Sequence, residues 1–210
     1  MAVIELVFPQ LKSDPDSLKQ ALSKLPIAFE AFKDGGVKRG LQGFISTENG
    51  KDVSGDHREV LVLEWPQEST FYEFIKSPSF ANFMGHLKPF VNGPPELDLF
   101  ETNDGSPLFS ARPVLEILII RPKSASTDED LQTILKKVQT SLEKSDDFEA
   151  VYGSSTNLPK KIATIVRVFA SKEEREAAKS TSSRQEILNE LSSLAEVTEL
   201  VAEPIKQLPL

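Results

Sequence analysis

The 210-residue chain has no cysteine. Disulfides, thiolate metal sites and a cysteine nucleophile are therefore excluded. Histidine occurs only twice, as His57 and His86, which leaves little material for a zinc site. No GxGxxG, GxxxxGK[ST] or GxSxG pattern is present, so neither a phosphate-cradling glycine loop nor a serine nucleophile elbow can be read. No apolar run reaches membrane-spanning length, and the N-terminal MAVIELVF lacks the order of charges and small residues of a signal peptide. Basic residues are outnumbered, 24 Lys and Arg against 32 Asp and Glu, for a net charge of −8. An acidic chain without a basic stripe is a poor partner for nucleic acid. These absences predict a soluble cytoplasmic protein that binds neither nucleic acid nor membrane. What is present, 39% apolar and 27% charged residues, is an ordinary globular composition.

The chain reads as two similar halves. AVIELVFPQL (2–11) is short, apolar and β-branched, so a strand. Asp14 or Asp16 with Pro15 opens a helix carrying Leu18, Ala21, Leu22 and Leu25 at helical spacing, broken near Pro26 and ended by Gly35-Gly36. Strands follow at 37–47 and 57–65 around a polar loop at 48–56. Pro66 then starts a second helix through Phe71, Phe74, Ile75, Phe83, Leu87 and Phe90, and a strand at 96–101 follows NGPP. This is the order β-α-β-β-α-β.

The same order returns from residue 113. Strands are expected at 113–123, 148–155, 161–170 and 201–205. Helices are expected from Thr127 or Asp128 through Val138 and across Ile187–Leu194. Ile4, Leu6 and Phe8 match Leu115, Ile117 and Ile119; Gly43 matches Gly153; Trp65 matches Phe169; Phe83, Leu87 and Phe90 match Ile187, Leu191 and Leu194. The expected organisation is an N-terminal repeat at 1–103, a polar linker at 104–112 and a degenerate C-terminal repeat at 113–210. KEEREAAK (172–179) reads as a solvated helix start and STSS (180–183) as a loop.

LEWPQESTFYEFIKSPSFANFMGHLKPF (63–90) carries a likeness to a known group: an aromatic strand end, a helix, a Ser-Pro break, an aromatic and a second helical stretch. With the tandem layout, it resembles the dimeric α/β-barrel superfamily of antibiotic-biosynthesis-monooxygenase and stress-responsive A/B-barrel proteins. The resemblance implies an α+β fold of two ferredoxin-like repeats, packed as a pseudo-dimeric α/β barrel with helices outside. It also implies an enzyme without a bound cofactor, an oxygenase or a cyclase/isomerase, acting on an aromatic or polyketide-like molecule. One chain could complete the barrel as a monomer, and a homodimer stays open. A haem relative would need an axial histidine, for which neither His57 nor His86 has a recognisable setting.

Alternation along the first strand sorts Ile4, Leu6 and Phe8 to the helix-covered face and Val3, Glu5 and Val7 to the barrel interior. Val114, Glu116 and Leu118 follow in the second copy. Glu5 and Glu116 are then expected in one shared cavity, where desolvation raises a carboxyl toward acid–base use. The competing reading pairs each with a basic neighbour, for which Arg39, Arg112 and Arg167 are candidates. His86 is a candidate base, and Tyr72 joins it because some related cyclases use a His with a Tyr; a boundary histidine is the plainer reading. His57 reads as a solvated rim residue. Trp65, Phe74 and Phe83, within the cluster that also holds Phe71 and Phe80, are candidates for an apolar substrate wall. Twelve of the 16 aromatics lie before residue 106, which places that wall in the N-terminal half. Core packing is the competing reading of the cluster. A non-catalytic barrel for ligand binding or assembly is the alternative for the whole chain, and an interior filled with side chains would favour it.

Overall fold

The computed structural model describes residues 2–102, 106–123, 128–144 and 150–210. In the first half β1 (Ala2–Phe8) is central, antiparallel to β4 (Glu59–Trp65) on one side and β5 (Glu96–Thr102) on the other. β2 (Arg39–Glu48) lies outside β4. Between β1 and β2 run α1 (Pro15–Ser23) and α2 (Leu25–Asp34), and a two-residue β3 (Lys51–Asp52) folds back on β2. Between β4 and β5 run α3 (Glu68–Phe74) and α4 (Pro78–Leu87). The second half has β6 (Val114–Pro122), α5 (Asp128–Lys144), β7 (Ala150–Ser155), β8 (Ala163–Phe169), α6 (Lys172–Lys179), α7 (Ser182–Leu194) and β9 (Ala195–Ala202). A short β10 (Lys206–Gln207) pairs with β2.

Local chemistry sets these boundaries. Asp14 caps α1 by accepting from the Ser17 N–H at 2.9 Å, with Pro15 in the first turn. The expected break near Pro26 falls at Lys24, and the helix resumes with Pro26 in the first turn of α2, where a missing N–H costs nothing. Ser77 caps α4 through the Phe80 N–H at 3.1 Å, so the Ser-Pro break divides α3 from α4. Ser171 caps α6 through the Glu174 N–H at 3.2 Å. The STSS stretch contains only a short break, since α7 begins at Ser182. β9 starts six residues before the strand expected at 201–205, because AEVTELVA pairs along β6. The expected helix cap at Thr127 and the strand start at 148–149 lie outside the described residues.

The strand order is β2-β4-β1-β5-β7-β8-β6-β9, and β9 pairs back onto β2. Eight antiparallel strands thus close a barrel. The halves meet at two junctions, β5 with β7 and β2 with β9; the first carries Gly153, and Gly43 lies on β2 two residues before the second begins. Gly153 sits opposite Thr102, and a Cβ there would lie 2.1 Å from the Glu101 carbonyl oxygen. On Gly43 it would lie 2.7 Å from Ile205.

The interior of the ring is filled. Ile4 and Leu6 meet Leu41, Val62, Phe100, Ile117 and Val166 in one cluster contributed by both halves, with Phe8 packed against it. The stretch expected as a polar linker adds to it: a 3-10 turn at Ser106–Phe109 buries Leu108 and Phe109. Two polar pairs accompany this core. Arg39 Nε bonds Glu64 while its guanidinium lies 4.7 Å over the Phe109 ring. Thr164 donates to Asp98 Oδ2 at 2.6 Å, and burial pushes the Asp98 carboxyl up to about 6.

The expected sorting of strand faces is therefore reversed. Ile4, Leu6 and Phe8 point into the barrel, whereas Val3 and Val7 join the helix-side core with Phe32, Phe71 and Trp65. Small barrels have room only for side chains. The wholly apolar set of β1 went inward, where the carboxyls that do face the interior, Glu64 and Asp98, are each met by a side-chain donor, Arg39 or Thr164. Glu5 and Glu116 lie outside the ring, under the helices of different halves, so they do not share a cavity. No helix among the described residues is long and apolar enough to cross a membrane.

Substitution of Gly153 by Ala is expected to destabilise the fold by roughly 3 kcal/mol, since a backbone oxygen cannot yield as a side chain can. Gly85→Ala, on α4 with open space around it, is expected to stabilise by up to about 1 kcal/mol. Chemical denaturation of both variants checks the pair; equal effects would contradict the tight junction.

Candidate functional site

Between the outer face of the first half-sheet and helices α1 to α4 lies a cavity of about 90 Å³. Its walls are apolar: Val7, Leu61 and Leu63 from the sheet face Ala28, Phe83 and Leu87 from the helices. Lys24 and Gln10 reach it at the more exposed end. Two buried carboxyls break the apolar surface, Glu5 and Glu59.

Glu5, 5% exposed, is held by one donor, the indole N–H of Trp65 to Oε2 at 2.8 Å. β1–β4 register makes this contact. Glu5 lies opposite Leu63, and Trp65 two residues on shares its face. Loss of hydration outweighs the indole hydrogen bond, and the carboxyl is pushed up to about 7. Glu59 receives the Gln42 side-chain amide on Oε1, and burial pushes it likewise to about 7. Each carboxyl keeps one oxygen, Oε1 of Glu5 and Oε2 of Glu59, with no hydrogen-bond partner among the described residues.

Of the residues singled out in the sequence, Glu5, Phe74 and Phe83 line this cavity. Trp65 is one layer behind the wall, fully buried, with ring centroids 5.8 Å from Phe71 and 5.3 Å from Phe74. Tyr72 and His86 are not brought to it. Tyr72 is 38% exposed, one helical step away from the inward Phe71. His86 is exposed beside the inward Leu87. A residue next to an inward one on a helix points about 100° away. His57 is exposed at the end of a 3-10 turn, as read from sequence. Neither histidine is placed to ligate a haem in the cavity. Glu59 was missed. It alternates with Leu61, Leu63 and Trp65 along β4, so the period of two carried the signal.

The second half builds the opposite surroundings for its carboxyl. Glu116, 0% exposed, lies opposite Arg167 in the β6–β8 register, where Glu5 has Leu63. Arg175 Nε and Arg184 bond Glu116 Oε1 at 2.9 and 2.7 Å, and Arg167 is 3.7 Å from Oε2. Arg175 and Arg184 also hold Glu199, at 2.6 and 3.2 Å. Arg175 and Arg184 follow Phe71 and Phe80 at the same sequence offset that matches Trp65 to Phe169. KEEREAAK is thus no wholly solvated run, since its Arg175 is buried. Of the other two candidate partners, Arg39 pairs with Glu64 and Arg112 approaches Glu174 at 3.8 Å. Only about 10 Å³ remains between sheet and helices here. Ion pairs stand under these helices where the first half has an apolar cavity.

No family model and no curated protein matches the chain. Solved structures match its fold over nearly the whole length. A provisionally named monooxygenase from Fusobacterium nucleatum is 10% identical, with a TM-score of 0.65 over 98% of this chain and 93% of that one. A provisionally named monooxygenase from Lactobacillus acidophilus is also 10% identical, with a TM-score of 0.59 over 97% and 95%. An anthrone oxidase-like protein is 9% identical, with a TM-score of 0.60 over 100% and 94%. At these identities the likeness is one of fold.

The two buried glutamates should respond oppositely to neutralisation. Glu5 has its folded pKa raised from 4.5 to about 7, so its contribution to stability is whole below pH 4.5 and is lost as pH rises through 7. Glu5→Gln is expected to match wild type at pH 4 and exceed it by on the order of 3 kcal/mol at pH 8. Glu116→Gln strands buried arginines and is expected to lose roughly 3–5 kcal/mol. Urea denaturation of both variants across pH checks the signs.

Proposed function

We propose that the chain is a small-molecule enzyme of monooxygenase-like barrel architecture, a fused two-unit form in which the first half holds the working cavity and the second serves as scaffold. One observation carries the reading. A buried carboxyl, Glu5, titrating near neutral pH, stands in an apolar, helix-covered cavity with one oxygen uncommitted. A group poised at the working pH serves as base and then as acid.

The substrate class is an aromatic or polyketide-like molecule with an acidified C–H or phenolic O–H. Glu5 Oε1 takes that proton, and Trp65 steadies Oε2. The walls of Phe74, Phe83 and Leu61 exclude water and hold the rings. With dioxygen as oxidant, a methylene flanked by aromatic rings becomes a carbonyl: one oxygen atom enters the product and the other leaves as water with both hydrogens. The same proton transfer without oxidant gives isomerisation or cyclisation. Neither course calls on a bound cofactor, and a cytoplasmic setting suits both. The names of the fold neighbours support the oxidative course.

A second reading, ligand binding without turnover, is favoured by the exposure of His86 and Tyr72, which keeps both candidate proton-transfer groups away from Glu5.

Oxygen uptake and product formation with anthrones and hydroxynaphthalenes separate the two. Wild type is expected to turn over at least one of them, and Glu5→Gln to lower kcat by roughly 10²–10⁴-fold while remaining folded. His86→Ala is expected to leave kcat unchanged. Binding without turnover would establish the second reading; turnover unaffected by Glu5→Gln would remove Glu5 from the chemistry.

A further inference from the structure

We infer that the cavity takes a two-ended ligand: a flat apolar body of two fused rings with a hydroxyl at each end, one donating to Glu5 and the other to Glu59. This rests on the reading of the cavity as a small-molecule site and adds a second anchoring residue to it.

Geometry carries the inference. Glu5 and Glu59 face the same cavity from adjacent strands. Glu5 is opposite Leu63, and Glu59 is four residues further along β4. At about 3.3 Å per residue the two side chains stand roughly 13 Å apart along the sheet. Both leave the sheet roughly perpendicular to it, so their carboxyls keep about that spacing. Two hydrogen bonds of about 2.7 Å each leave roughly 8 Å between the ligand's own oxygens. That is the long axis of two fused six-membered rings with opposed hydroxyls.

The hydrogen-bond inventory agrees. Each carboxyl commits one oxygen to a protein donor, Trp65 or Gln42, and keeps the other spare. A spare acceptor at each end of an apolar slot rewards a ligand donor at each end. Between them the surface is Val7, Leu61 and Leu63, which offers a ring face nothing polar. At about 90 Å³ the cavity is smaller than the roughly 150 Å³ that holds one benzene ring, so binding of the two-ring body requires the helices to move outward from the sheet. Glu116 has no such counterpart, because its arginines occupy the place of the ring body.

The test compares 2-naphthol with 2,6-dihydroxynaphthalene, binding being followed by Trp65 fluorescence and by calorimetry. The proteins are wild type, Glu59→Met and Glu59→Gln, each checked for folding by thermal denaturation. The diol is expected to bind wild type at least tenfold more tightly than 2-naphthol. Glu59→Met is expected to remove that advantage while changing 2-naphthol less than threefold, and Glu59→Gln, which keeps an acceptor, to restore most of it. Equal affinities for the two compounds, or a loss common to both in Glu59→Met, would overturn the two-ended site while leaving the cavity reading standing. Binding of neither compound to folded wild type would overturn both.

Discussion

Closure of the eight-strand ring governs everything else in this protein. A closed antiparallel barrel of this size satisfies its backbone hydrogen bonds internally and leaves space inside only for side chains. Ile4, Leu6, Phe100, Ile117 and their neighbours fill that space from both halves, with Leu108 and Phe109 added from the connecting turn. The apolar cavity therefore lies on the outer face of the sheet, roofed by helices. Gly153 lets β7 approach the β5 backbone closely at one junction of the ring, and Gly43 leaves room for the Ile205 side chain near the other.

On that outer face the two halves treat a buried carboxyl in contrasting ways. Glu5 receives a single indole N–H and is left otherwise desolvated among Leu63, Phe71 and Phe74. Glu116 is enclosed by Arg167, Arg175 and Arg184 and shares two of them with Glu199. The first arrangement raises the carboxyl toward neutral pH at a cost in stability. The second surrounds the carboxyl with guanidinium groups and fills the space. Arginines from two helices and from β8 fill the space over Glu116, because a guanidinium is planar, carries a long apolar stem and meets a carboxylate with fixed donors.

Much of the fold was legible in the chain. Proline, glycine and capping residues marked the helix ends, and paired motifs in the two halves announced a recurring strand and helix order. The aromatic concentration before residue 106 coincides with the apolar cavity under α1 to α4. Phe74 and Phe83 were placed on its wall. The reading went astray where two faces of one strand are both apolar. In β1 the sets Ile4, Leu6, Phe8 and Val3, Glu5, Val7 differ by one carboxyl, and alternation separates faces without saying which is inside. Glu59 begins its strand next to a polar loop, so its alternation with Leu61, Leu63 and Trp65 was the one local sign that it faces the helices.

The sequence by itself determined the elements, their order, the acidic and cysteine-free chemistry and the half in which aromatics gather, because these depend on period, composition and neighbours a few residues away. The tertiary structure alone decided which strand face closed inward, that Glu5 and Glu116 lie apart, that Glu5 and Glu59 look into one cavity, and that Arg175 and Arg184 turn from a charged helix to a buried glutamate. Those outcomes depend on strand register and on which sheets and helices meet. Such contacts join residues tens of positions apart, where no local pattern reaches.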